Sequence, residues 1–470
     1  IWTTRGEISC RPVFQLYQDL CLHYSPERVE KLTDIPAKQL YETAQLIGSA
    51  GPVSLYTWAG IEQHSNSVQN SRAISLLYAL TGSFDDRGGN VLFEKVAIQD
   101  VTGSELMPDS LQLKTLGLSE RPLGPEAINN WITTDSLYTA VLDQKPYPVK
   151  GLVSFGGNIL MSHSDGLRGA KALNALEFMV HADIFMSPTA QHADIILPVN
   201  TPWEREGLRT DFMVSQEASG YVQLRPAVLE SRGESQSDAW IAFELAKRLG
   251  YSEQFWRGNI DDAYCETLKL SGVSLKDLRK NPGGIKLPLR TSYKKYSEHG
   301  LSNITGFDTP SRRIELYSEA FSKHGYAPLP EYMEPGMGSA DKAGLLKSFP
   351  LILTSAKSSQ YLGSQGRAVS ALRRIEPEPC LEIHPDTALV RGLKNGDAAA
   401  LVTPHGKIQM QVKFSPNLHP NVVVGVHGWW QGNPLLMLPS YNPLSRNGAN
   451  HYNLKTNNER ILMVKSSKTS

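Results

Sequence analysis

Residues 151–198 constrain the fold more than any other part of the chain. They read Leu152-Val153-Ser154-Phe155, then Gly156-Gly157-Asn158, then a helical segment over 165–176. Phe178-Met179-Val180-His181-Ala182-Asp183 follows, then a turn at Ser187-Pro188-Thr189 and the run Asp194-Ile195-Ile196-Leu197-Pro198. Short apolar runs separated by helical spacing are what parallel strands joined by crossover helices look like in sequence. The stretch therefore predicts a parallel sheet. In such sheets ligands sit outside the carboxyl ends of the strands. Asn158, Asp183 and the residues after Leu197 fall at those ends.

The flanking blocks differ in pattern. Residues 1–150 open with apolar residues at helical spacing (Val13, Leu16, Tyr17, Leu20, Cys21), and proline stands in the first turn of a second helical segment at Pro36. Residues 53–58 alternate like a strand, and a helix is expected over 65–80 with Gly82 as its stop. Residues 281–347 hold many Gly, Pro and Ser with no sustained period, which reads as a linker. From 349 onward short strand patterns dominate, with a turn at Pro404-His405-Gly406. The fold class is α/β, with parallel-sheet dinucleotide-binding-like domains followed by a C-terminal β-barrel domain. The expected domains are 1–150, 151–348 with the linker, and 349–470.

Composition excludes several classes. The 470 residues carry 47 Lys and Arg against 47 Asp and Glu, so no basic surface for nucleic acid is implied. No apolar run approaches the roughly 18 residues of a spanning helix. Four cysteines (Cys10, Cys21, Cys265, Cys380), none in a C-x-x-C pair, argue against a disulfide scaffold, a zinc knuckle or an iron–sulfur cluster built by this chain alone. Cys10, next to Arg11, reads as a buried structural cysteine rather than a thiolate. No Ser-His-Asp or H-E-x-x-H arrangement is present.

The candidate site residues each have a plain structural reading beside the functional one. Gly60, Gln63 and His64 stand at a strand-to-helix entry, where free N–H groups converge, but a polar helix start looks the same. Gly156-Gly157-Asn158 suits close approach to a phosphate or pterin edge, and also an ordinary tight turn. Asp183 is able to accept from a ribose diol or from the N1–H and N2–H2 of guanine, or to cap the turn at Pro188. Thr189 and Asp194 serve either a nucleotide or local backbone. Arg205 is a phosphate ligand or a solvated loop residue, and Asp238 a ligand or a helix cap. The Trp429-Trp430 pair walls an aromatic ligand or belongs to a core. Asn450 and Asn453 read equally as turn residues.

Taken in order along the chain, these stretches resemble the molybdopterin oxidoreductase family of the dimethyl sulfoxide reductase type. The matching residues are Trp58-x-Gly60-x-x-Gln63-His64, Asn70-x-Arg72-Ala73-Ile74, Leu80-Thr81-Gly82, Gly88-Gly89-Asn90, Asp183-Ile184-Phe185-Met186 through Asp194-Ile195-Ile196-Leu197-Pro198, and Glu204-Arg205-Glu206-Gly207. In the last block they are Glu382-Ile383-His384-Pro385-Asp386 and Asn395-Gly396-Asp397. The resemblance implies a bis(molybdopterin guanine dinucleotide) cofactor with molybdenum or tungsten, and two-electron redox or oxygen-atom transfer on a small-molecule substrate, as in anaerobic respiration. Gly60 and Gln63, with His64 beside them, would lie against one pterin. Asn158, Asp183, Thr189, Arg205 and Asp238 would hold a guanylyl half, with Asp194 nearby. Thr354 to Gln360, Asn433, Asn450 and Asn453 would close over the pterins. The metal's protein ligand and a [4Fe-4S] cysteine cluster are expected upstream of Ile1, and an iron–sulfur partner subunit would take the electrons. A non-catalytic scaffold in an electron-transfer complex, or a hydratase or transhydroxylase using the same cofactor without net redox change, are the alternatives.

Overall fold

The computed structural model describes residues 2–3, 6–7, 9–62, 66–163, 165–211, 214–297, 306–333, 344, 347–362, 365–366, 369–403, 406–426 and 459–465. The chain begins with a two-residue antiparallel ribbon, β1 (Trp2–Thr3) on β2 (Gly6–Glu7). The helices Val13–Leu22, Pro26–Thr33, Ala37–Ser49 and Ser67–Leu80 follow the periodicity of the sequence. Ser25 shows why one of them starts where it does: its Oγ accepts from the Arg28 N–H, and Pro26 fills the first turn, where no amide donor is needed. The alternation over 53–58 does not make a strand. Side chains replace a ladder there: the Val53 N–H donates to Ser83 Oγ, and Asn90 bonds both the N–H and the C=O of Leu55.

β3 (Gly151–Phe155), β4 (Phe178–Asp183) and β5 (Ile195–Pro198) form a parallel sheet in that order. Phe155 is aligned with Ala182, and Asp183 with Pro198, so all three strands end at one edge. The helix Gly166–Ala175 makes the first crossover, capped by Asp165 through Arg168 N–H. It lays Leu173 on Leu160 and Met179, which fixes the face of β4 that carries odd-numbered side chains.

A second, antiparallel sheet joins β6 (Gly207–Arg209), β7 (Tyr221–Arg225) and β8 (Ile285–Lys286) over a core of Val222, Leu224, Leu268 and Leu278. The stretch read as a linker is tied back onto the first block instead of hanging between two domains. Arg72 donates to Pro328 O at 2.8 Å, Gln69 to Ala327 O at 2.9 Å, and Asn66 to Glu331 O at 2.8 Å. The buried Asp85 carboxylate pairs with Lys295.

The last block is a closed six-stranded barrel of β9 (Leu351–Ala356), β10 (Cys380–Ile383), β11 (Ala398–Thr403), β12 (Gly406–Phe414), β13 (Val422–Val426) and β14 (Glu459–Lys465). The order is β10-β12-β11-β14-β9-β13, and β13 closes on β10. Alternation along the strands points Leu353, Leu381, Ile383, Leu401, Met410 and Val423 inward. Closure leaves no unpaired strand edge. β11 and β12 pair antiparallel as the expected hairpin requires, with residues 404 and 405 of its turn outside the described residues.

Candidate functional site

The carboxyl edge of the parallel sheet gathers most of the candidates. Where β3 ends, Gly156 N–H donates to Ala182 O, and Gly156 and Gly157 turn the chain at φ of 57° and 72°. That left-handed backbone is why glycine stands at both positions. A Cβ at either would meet nothing within 4 Å, so the turn faces open space. Asn158 begins the short helix Ile159–Ser162 but makes no side-chain cap. Its Oδ1 accepts from Thr189 Oγ at 3.1 Å, and the same Thr189 oxygen accepts from Leu160 N–H at 3.2 Å. Thr189 is 0% exposed. Asn158 Nδ2 is buried without a hydrogen-bond partner. An unsatisfied buried donor costs about 1–3 kcal/mol, and an acceptor supplied by a ligand removes that cost.

Asp183 ends β4. Its Oδ1 accepts from Ile184 N–H at 2.7 Å and Phe185 N–H at 3.2 Å. Its Oδ2 lies 3.1 Å from His181 Nε2 and 3.4 Å from Ser187 Oγ. The carboxylate thus organises its own following turn rather than a helix at Pro188. Burial alone would raise its pKa. The hydrogen bonds from His181 and the two amides outweigh burial and hold it below its usual value. The side chain is 13% exposed, so a fixed anion is presented at the edge. Ile184, Phe185 and Met186 flank it with exposed apolar side chains.

Past β5, Arg205 donates to Asn200 O at 3.2 Å and Oδ1 at 3.3 Å, and pairs with Asp238 at 3.0 Å. Asp238 is not the cap of its helix. Ser237 caps Asp238–Arg248 through Trp240 N–H, which leaves the Asp238 carboxylate to Arg205. Asp194 is placed elsewhere. It precedes β5 at the amino edge, its N–H donates to Met179 O, and its Oδ2 accepts from Met179 N–H at 2.7 Å. Its carboxylate holds two strands in register and is not among the groups at the carboxyl edge.

The other candidates are dispersed. Gly60 sits exposed within the turn Ala59–Glu62, with open space where a Cβ would be. Thr354 lies half-buried on β9, facing away from the barrel core, and Gln360 Oε1 accepts from Ser358 Oγ and Ser359 Oγ. Gln63, His64, Trp429, Trp430, Asn433, Asn450 and Asn453 lie outside the described residues. Cys10 is exposed, not buried, because its segment packs on no core. Two residues at the edge escape sequence reasoning. His181 shares a strand face with Asp183 through two-residue alternation, and Asn200 is the first polar residue after β5. Those positions were the available signals. Among the described residues, no group of three or more His, Cys, Asp or Glu is placed to hold a metal ion, and no helix is long and apolar enough to cross a membrane.

An open glycine turn, an unsatisfied buried amide, a fixed carboxylate and an arginine thus meet at the carboxyl edge of a parallel sheet, the place where α/β proteins bind nucleotide-type ligands. Comparison with known proteins makes this more specific. The molybdopterin oxidoreductase family model matches residues 19–248, and the molydopterin dinucleotide binding domain model matches residues 351–454. The chain belongs to the molybdopterin oxidoreductase family, of the dimethyl sulfoxide reductase type. It is 27% identical over 444 residues to acetylene hydratase of Syntrophotalea acetylenica, covering 89% of this chain and 59% of that one. It is 27% identical over 480 residues to dimethyl sulfoxide reductase DmsA of Escherichia coli (strain K12), covering 92% and 56%. The F420-dependent formate dehydrogenase subunit alpha of Methanocaldococcus jannaschii is 24% identical over 435 residues, covering 90% and 60%. The chain thus spans well under two thirds of the length of these relatives. The solved structure of acetylene hydratase from Pelobacter acetylenicus shares the fold, with a TM-score of 0.84 at 23% identity over 96% of this chain and 66% of that one.

Proposed function

We propose that this chain holds a bis(molybdopterin guanine dinucleotide) cofactor within a molybdenum or tungsten oxidoreductase. The single observation that carries the reading is Asn158 Nδ2, a buried donor left without a protein acceptor beside an open glycine turn. Asn158, held from behind by the buried Thr189 hydroxyl, would meet the pyrophosphate, Asp183 the base, and Arg205 with Asp238 the sugar-phosphate side. Gly60 and the 354–360 stretch of the barrel would approach the pterins, with Gln63, His64, Asn433, Asn450 and Asn453 completing that enclosure. The bound metal supplies two-electron redox or oxygen-atom chemistry. The residues of this chain bind, orient and exclude water. A [4Fe-4S] cluster and an iron–sulfur partner subunit would carry electrons.

A second reading, hydration without net redox change, is favoured by the acetylene hydratase relative. Both readings need the same cofactor. The test is metal analysis together with guanine nucleotide released by acid hydrolysis from the full-length protein, made anaerobically with molybdate or tungstate. The proposal expects molybdenum or tungsten and about two GMP per metal. Protein with neither metal nor GMP overturns it. Dye-linked electron transfer from the loaded enzyme then separates redox chemistry from hydration.

A further inference from the structure

His181 is unusual for a residue in the middle of a short buried strand. It is 0% exposed and lies on the face of β4 that carries Met179 below it and Asp183 above it. Its Nε2 is 3.1 Å from Asp183 Oδ2. An ionised carboxylate only accepts, so Nε2 carries the proton and Nδ1 is the bare nitrogen. That Nδ1 is buried with no hydrogen-bond partner. A leucine would fill the same volume without an unsatisfied buried nitrogen, so packing does not explain an imidazole here.

Among the described residues, His181 is the one titratable group in hydrogen-bond contact with Asp183. Ser154 of β3 and Ile196 of β5 flank His181 in register, and Pro198 of β5 lies opposite Asp183. Ser187 and the amides of Ile184 and Phe185 complete the contacts of the carboxylate. On the neighbouring helical turns, His192 is bonded to Asn174 and His163 to Ser162.

We infer that His181 is a positioning residue for the nucleotide site: its Nε2–H fixes the Asp183 carboxylate so that it faces a purine edge made of N–H donors, as guanine has, and rejects one that presents an acceptor there, as adenine does. This rests on the nucleotide site proposed above. Discrimination follows because an acceptor edge facing the carboxylate repels it, whereas an N–H edge adds hydrogen bonds to it.

Three substitutions in the cofactor-loaded full-length protein test it. In His181→Gln the side-chain amide N–H takes the place of Nε2. In His181→Leu the volume is kept and the donor is lost. In His181→Asn the donor reaches only the place of Nδ1. The readout is GMP released by acid hydrolysis from protein dialysed at a series of pH values. His181→Gln is expected to retain nucleotide with the parental pH profile. His181→Leu and His181→Asn are expected to lose it on the order of tenfold faster. Their loss should also begin at higher pH, because Asp183 keeps the burial that opposes its charge and loses the donor that favours it. Identical retention and pH profiles in all three variants overturn the role of His181 while leaving the nucleotide site standing. Parental protein without guanine nucleotide overturns the site itself.

Discussion

Replacing Asn158 with alanine separates a ligand-binding amide from a packing one. In the ligand-free chain the change removes one unsatisfied buried donor, Nδ2–H, and creates another, because the Thr189 hydroxyl loses its acceptor at 3.1 Å. Each such group costs about 1–3 kcal/mol, so the two largely cancel and the stability of the ligand-free protein moves by no more than about 1 kcal/mol. In the bound form the balance is different. Nδ2 gains an acceptor from the ligand, and a hydrogen bond to a charged phosphate oxygen contributes about 1.5–3 kcal/mol. Asn158→Ala should then weaken binding roughly 10- to 100-fold, at about 1.4 kcal/mol per decade. GDP carries the guanylyl and pyrophosphate portion and serves as the probe. Calorimetric titration with GDP gives the affinity, and urea unfolding without GDP gives the stability. Unchanged GDP affinity, or a stability loss above about 3 kcal/mol in the ligand-free protein, refutes the reasoning, since either result makes Asn158 a structural residue.

Gly157→Ala places a side chain at φ 72° in open space, so no clash arises and the cost is backbone strain of about 1–2 kcal/mol, read by urea unfolding, with GDP affinity falling because the new methyl enters the ligand's space. Asp183 is held below its usual range in the folded chain, so its charge adds stability above the unfolded value of about 3.9, and that contribution is lost as pH falls through the lower folded value. Asp183→Asn should accordingly be less stable than the parent near neutral pH, with the gap closing in strong acid, as followed by denaturant unfolding across pH. Leu401→Ala empties a 0% exposed position of the barrel and should cost about 2–5 kcal/mol in the unfolding transition that reports the barrel.

The parallel sheet was legible because both of its signals are local. Apolar runs such as Phe178–Asp183 and Ile195–Pro198 are bounded by turn residues, and strand polarity follows from the intervening helix. Four barrel strands, β9, β11, β12 and β13, were legible for the same reason, whereas β10 and β14 were not read as strands. Residues 53–58 misled because alternation there is satisfied by Ser83 and Asn90 side chains, a contact about thirty residues away that no local pattern records. The linker was misread because Gly, Pro and Ser mark irregular backbone, not loose backbone. Arg72, Gln69 and Asn66 anchor that stretch by bonding its carbonyls. At the site, strand ends located Asn158 and Asp183. They did not show that Asp194 works at the opposite edge, that Ser237 frees Asp238 from capping, or that His181 stands beneath Asp183. Those facts depend on side-chain partners, which periodicity does not specify.

An experimental structure of the cofactor-loaded protein tests the nucleotide site at the carboxyl edge of β3 and β4 most directly. The prediction is a guanine ring within hydrogen-bonding distance of Asp183 and a ligand oxygen within about 3 Å of Asn158 Nδ2. A loaded protein in which packed hydrocarbon covers those two side chains, or in which the nucleotide lies at another edge, contradicts it.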